Sequence, residues 1–128
     1  DAELANISTR GFVETGTNVM IGGFILGGEE GDATVLVRAI GPALTDFGVA
    51  DALADPTLEL RDGNGALLSS NDNWKESQQS EIEDTGLQPG HDLESTILAS
   101  LPPGAYTAIV AGKNGLTGVG LVEVYRLP

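Results

Sequence analysis

The chain has 128 residues, enough for one domain with a buried core and too few for two. Nineteen acidic residues against six basic ones give a formal net charge of -13, which repels nucleic-acid phosphates and anionic membrane surfaces. No apolar run is long enough to span a bilayer, and the lack of cysteine excludes disulfides, thiolate metal sites and cysteine nucleophiles.

In chain order, Ser8–Val13 reads as the first strand and Asn18–Leu26 as the second, after the turn Glu14-Thr15-Gly16-Thr17. The pair Gly22-Gly23 predicts a bulge or a close backbone approach. A polar turn at Glu29–Asp32 leads into Ala33–Ile40, rich in β-branched residues and stopped by Gly41-Pro42. Residues 43–55 have no clean period and read as one or two helical turns. In Thr57–Arg61, Leu58 and Leu60 alternate with polar residues, so one face is buried and the other wet.

Asp62-Gly63-Asn64-Gly65 is a strong hairpin signal, and Ala66–Ser70 returns as the partner strand. Asn73 with Glu76 three residues on fits a capping box, so Trp74–Thr85 reads as one helix closed by Gly86, with Trp74 and Ile82 turned inward. Strands resume at Ser95–Ala99, Tyr106–Ala111 and Val119–Leu127. Short strands of this number predict an all-β fold over residues 1–128. We expect an antiparallel two-sheet β-sandwich of jelly-roll or Greek-key type with one short surface helix.

Four features invite chemistry. Asp62, Asn64 and Asp72, with Asn71 and Asn73 flanking Asp72 and Asp92 or Glu94 as further contributors, are candidate calcium ligands, because calcium takes six to eight oxygens from such side chains. The same residues suit turns through local backbone hydrogen bonds, and that reading is preferred. Trp74 is either a carbohydrate platform or, preferably, an anchor packed under its loop with the indole N–H on a backbone carbonyl. Arg38, within an apolar strand, requires a carboxylate partner. His91 is the only histidine, and without a GxSxG elbow, HExxH or phosphate-binding loop the chain reads as non-enzymatic. The triplet Asn6-Ile7-Ser8 is a formal glycosylation site that carries no weight here.

Two stretches carry a resemblance. LELRDGNGALLSSNDNW (58–74) with DLESTILASLPPGAYTAIVAG (92–112) resembles bacterial pre-peptidase C-terminal domains, matched at Leu58, Leu60, Asp62, Asn64, Gly65, Asp72, Leu101, Gly104, Tyr106 and Val110. LANISTRGFV (4–13), MIGGFILGG (20–28) and TVLVRAIGPAL (34–44) resemble a module repeated in large bacterial surface proteins. The resemblance implies a jelly roll and a secreted, extracellular or cell-surface structural role, with the leader removed or the chain one segment of a longer polypeptide. The expected partners are other copies or tandem neighbours, joined by strand addition in which residues 1–13 could be donated to a neighbour or paired at home. A calcium-dependent or carbohydrate-binding accessory module is the alternative.

Overall fold

The computed structural model describes residues 5–27 and 31–128, and the side chains from residue 7 on. Leu4, Glu29 and Glu30, and the side chain of Asn6, lie outside the described residues, and with them the acceptor side chain of the glycosylation triplet and part of the polar turn. Among the described residues eight strands form: β1 (Ala5–Val13), β2 (Met20–Leu26), β3 (Ala33–Ile40), β4 (Pro56–Asp62), β5 (Leu67–Asn71), β6 (Ser95–Leu101), β7 (Gly104–Gly112) and β8 (Gly118–Leu127). Two α-helices, α1 (Pro42–Thr45) and α2 (Gln79–Thr85), are accompanied by 3-10 turns at Trp74–Glu76 and Lys113–Gly115.

The hairpin signal at Asp62–Gly65 sets the topology. The β4–β5 hairpin is the tip of a folded-over ribbon in which β3 pairs with β6, β2 with β7 and β1 with β8, all antiparallel. The ribbon wraps so that its pairs alternate between two sheets, closed by the contacts β3–β8 and β4–β7. The resulting orders, β1-β8-β3-β6 over β2-β7-β4-β5, are those of a jelly roll. The expected all-β sandwich is therefore what the chain forms.

Alternation decides what is buried. From β2, Met20, Phe24 and Leu26 point inward while Ile21 and Ile25 point to solvent, and Val35, Val37, Leu58, Leu60, Val110, Val122 and Val124 join them in one core drawn from both sheets. Phe24 stacks on Tyr106 with ring centroids 5.6 Å apart. The pairing of β2 runs without a bulge, so of the two readings of Gly22-Gly23 close approach is the correct one. A side chain on Gly22 would press on Val122 of the opposite sheet, at 3.2 Å.

The outer face of the first sheet carries a second, smaller core in which Leu36, Trp74 and Ile82 are buried among Leu87, Leu98, Tyr125 and Leu127. Trp74 and Ile82 turn inward as expected, but the single helix Trp74–Thr85 is broken at Ser77-Gln78. The cause is visible in Gln78, whose side chain leaves the helical path to bond the edge of β6.

One end of the sandwich is closed by Leu53, fully buried on a segment with no regular structure. Its N–H donates to the Val119 carbonyl at 2.8 Å, and the Val119 N–H donates to the Asp51 carbonyl at 2.8 Å. Three glycines line this crossing. A methyl group on Gly41 would overlap the Leu53 carbonyl, one on Gly112 the Leu116 carbonyl, and one on Gly118 would lie 2.7 Å from the Asp51 carbonyl.

Candidate functional site

The structure separates the candidate calcium ligands. Asp62 and Asn64 sit at the tip of the β4–β5 hairpin, where Asp62 Oδ1 accepts the N–H groups of Asn64 and Ala66, each at 2.9 Å. Pairing of Leu58 with Asn71 places Asp72 at the opposite end of the hairpin. At a rise near 3.3 Å per residue it lies roughly 15 Å from Asp62. The tip residues thus do turn chemistry, and Asp72 belongs to a different cluster.

That cluster joins Asp72, Asp55 and Lys113. Asp72 Oδ2 pairs with Lys113 Nζ, while Oδ1 of Asp72 and Oδ1 of Asp55 are buried with no hydrogen-bond donor in the protein. Burial first, and the neighbouring charge of Asp72 second, push the Asp55 carboxyl above the usual carboxylate range. The hydrogen bond to Asp72 holds the Lys113 ammonium protonated to higher pH. Asp55 had no distinguishing sequence signal, since it stands in a stretch without periodicity.

Trp74 is buried against Leu36 and Ile82, with the Lys75 ammonium 5.5 Å from its ring centroid, and offers no open face for stacking a sugar. Its indole N–H, expected to meet a backbone carbonyl, has no protein partner. Lys75 pairs instead with Asp92 at 2.9 Å, which occupies another of the residues proposed for calcium.

Glu94, named as a further contributor, is a fully buried strut. Its Oε2 accepts the N–H groups of Gly41 and Ala43 at 2.9 Å each, and Oε1 accepts that of His91 at 3.2 Å. Pro42 lies between the two donors and has no N–H, so one carboxylate oxygen satisfies the start of α1. The Glu94 carbonyl also accepts the Trp74 N–H at 2.9 Å, tying three loops together.

Beside this strut lies an open groove of about 450 Å³ on the outer face of the first sheet, lined among others by Arg38, Ile40, Leu44, Phe47 and Leu121. Arg38 finds the carboxylate it needs. Its Nε donates to Glu123 Oε1 at 2.7 Å, Nη1 to the Leu87 carbonyl and Nη2 to the Tyr125 hydroxyl. At the rim, His91 Nε2 lies 3.1 Å from Asp46 Oδ2, and this hydrogen bond raises the imidazole pKa.

The sheet edges differ in how they are finished. On one side Asn71 Oδ1 accepts the Thr96 N–H at 2.9 Å. The Gln78 amide accepts the Leu98 N–H at 3.0 Å and donates to the Leu98 carbonyl at 2.9 Å. These side chains stand in for a neighbouring strand and seal β6. β5 beside it, and β1 and β2 on the other side, end their sheets without such caps among the described residues. Nearby, Ile21 is 58% and Ile25 81% exposed on one outer face, and Phe12 is 54% and Phe47 84% exposed on the other. Ala5–Val13 of the N-terminal segment pairs with β8 of the same chain.

With the geometry in view, comparison with known proteins adds no identity: no family model matches the chain, and no curated protein matches it.

Proposed function

We propose that this chain is a non-enzymatic structural module of an extracellular or cell-surface assembly, which joins other copies or tandem neighbours through its open sheet edges. The observation that carries the reading is the contrast between the capped edge β6 and the uncapped edge β2. Edge strands present unpaired backbone donors and acceptors, and folded proteins that stay apart cover them. Here Gln78 and Asn71 cover β6, while among the described residues β2 has no such cap and stands beside exposed Ile21 and Ile25. The placement outside the cell rests on the resemblance of the N-terminal half and the 58–112 region to surface-protein modules.

Negative-stain electron microscopy with light scattering on the purified chain tests this. Concentration-dependent dimers, filaments or sheets are expected. A monomer at every concentration, with no assembly when two copies are fused in tandem, would remove the support for an assembling module.

A second reading, a cation-dependent accessory module, has one observation in its favour: the buried, donor-less oxygens of Asp55 and Asp72. A calcium ion would satisfy both, with Asp55 and Asp72 as its carboxylate ligands. The pH dependence separates the possibilities. Because the Asp55 pKa is raised on folding, the folded state holds its proton more tightly than the unfolded chain. That contribution is full below the ordinary carboxylate range and lost as pH rises through the raised pKa. Asp55→Asn is therefore expected to raise the unfolding midpoint at neutral pH, with the gain shrinking on acidification toward about pH 4. If the pair holds calcium, millimolar calcium raises the midpoint of the native chain and not that of the variant. Equal response of the two, or none, counts against the cation reading.

A further inference from the structure

The reading of an assembling module leaves open which surface does the joining, and the residues of β2 narrow it to one. We infer that two copies of this chain join through β2, antiparallel and about a two-fold axis passing through Gly23, so that the second sheets of both copies become one continuous sheet. This rests on the association reading above and adds the edge, the partner and the register.

The argument begins with charge. In a chain of net charge -13, like copies repel, and a contact between them belongs where charge is absent. Neither β2 nor β7, the strand behind it, carries a charged residue. The groove beside α1, the competing apolar surface, is lined by Arg38, Asp46 and Glu123. Of the other uncapped edges, β1 carries Arg10 and an irregularity in its pairing between Ala5 and Ile7, while β5 is backed by β4 with its Glu59, Arg61 and Asp62 and shifts register between Leu60 and Arg61, and such devices discourage strand addition. β2 has neither device: its pairing is regular throughout and it contains no proline or lysine.

The second argument is self-complementarity. In an antiparallel pair, opposite residues share a face, so an outward residue must meet an outward one. The outward residues of β2 are Ile21, Gly23 and Ile25, and the inward ones Met20, Gly22, Phe24 and Leu26. With Gly23 opposite its own copy, Ile21 meets Ile25 twice on the solvent side. On the core side Met20 meets Leu26, and Phe24 meets Gly22, a large ring beside a residue with none. Shifting the axis by one residue along the strand, the smallest shift that keeps the faces matched, sets Ile21 against Gly23 and leaves Ile25 without a partner. A two-fold axis also makes the contact the same for both copies and closes it at a dimer.

The test uses the pairing of position 21 with position 25. Ile21→Lys/Ile25→Lys places like charges opposite each other twice. Ile21→Lys/Ile25→Glu places opposite charges together twice, while its strand composition stays equally polar. Both positions are exposed in the single copy, so unfolding midpoints should stay near that of the native chain. By sedimentation and light scattering the native chain should dimerise. The double-lysine variant should dissociate at least about tenfold more readily, and the Lys/Glu variant should recover. Loss in the double-lysine variant cannot come from overall charge, since the substitution makes the chain less negative.

A second measurement needs no affinity threshold. The chain has no cysteine, and a side chain at Gly23 has open space, its nearest neighbour being the Tyr106 carbonyl at 3.9 Å. Gly23→Cys should give a disulfide-linked dimer under mild oxidation far faster than Ser70→Cys on the opposite edge. A native chain that stays monomeric, with both cysteine variants linking equally slowly, overturns the inference. Association that survives the double-lysine change overturns this edge while leaving an assembling module with another joint.

Discussion

Alanine in place of Glu94 is expected to lower the unfolding midpoint by roughly 10–20 °C, from a loss of about 3–5 kcal/mol. The size follows from what the carboxylate holds. Three backbone N–H groups, of Gly41, Ala43 and His91, lose their acceptor at once, in a place fully shielded from water on the Glu94 side. Each orphaned buried donor costs about 1–3 kcal/mol, and water reaching the loop side recovers part of it. Glu94→Gln is the informative companion. Its amide oxygen can keep the position of Oε2 and two of the three donors, so its loss should be less than half that of alanine. Thermal unfolding of both variants checks this, and equal losses would mean that packing volume, not hydrogen bonding, is what Glu94 supplies.

The second large effect is expected at Gly41. Here the side chain is excluded by the Leu53 carbonyl, a backbone atom that cannot rotate aside. Gly41→Ala should cost about 3 kcal/mol or more, because relief requires the whole 51–53 segment to lift from β8 and break its bonds to Val119. Leu53→Ala alone should cost about 2–5 kcal/mol through the cavity it leaves. Since the obstacle to a residue 41 side chain is the carbonyl and not the leucine side chain, the double variant should be at least as destabilised as either single one. Rescue of Gly41→Ala by Leu53→Ala in denaturant titrations would contradict that account.

What could be read from the sequence was what neighbours in sequence decide. Period-2 alternation marked the strands to within a few residues, and Asp62–Gly65 marked the hairpin because Asp62 caps its own turn and Gly65 takes a positive φ of 84°. Trp74 and Ile82 were legible as the inward residues of a polar stretch. What could not be read depended on chain segments meeting across the sandwich. Gln78 looked like one more polar helix residue until β6 arrived beside it. Glu94 looked like a candidate ligand, and only the approach of Gly41 and Ala43, fifty residues away in the chain on the order of several strands, makes it a strut. Asp62 and Asp72 are near in sequence, yet the two arms of a hairpin carry them to opposite ends. Proximity along a strand is extension, and clustering of oxygen ligands in sequence gathers nothing when the intervening residues are β.

The antiparallel match of Ala5 with Tyr125 sets β1, the outer strand of its sheet, beside β8 with Ala5 and Tyr125 at the same end of the ladder. Tension applied through those two residues would not shear the β1–β8 ladder along its length. It would open the rungs one after another from the Ala5 end, each bond bearing the load alone before the next. A chain pulled this way is expected to yield at low force and to re-form from the Val13–Gly118 end when the pull is released.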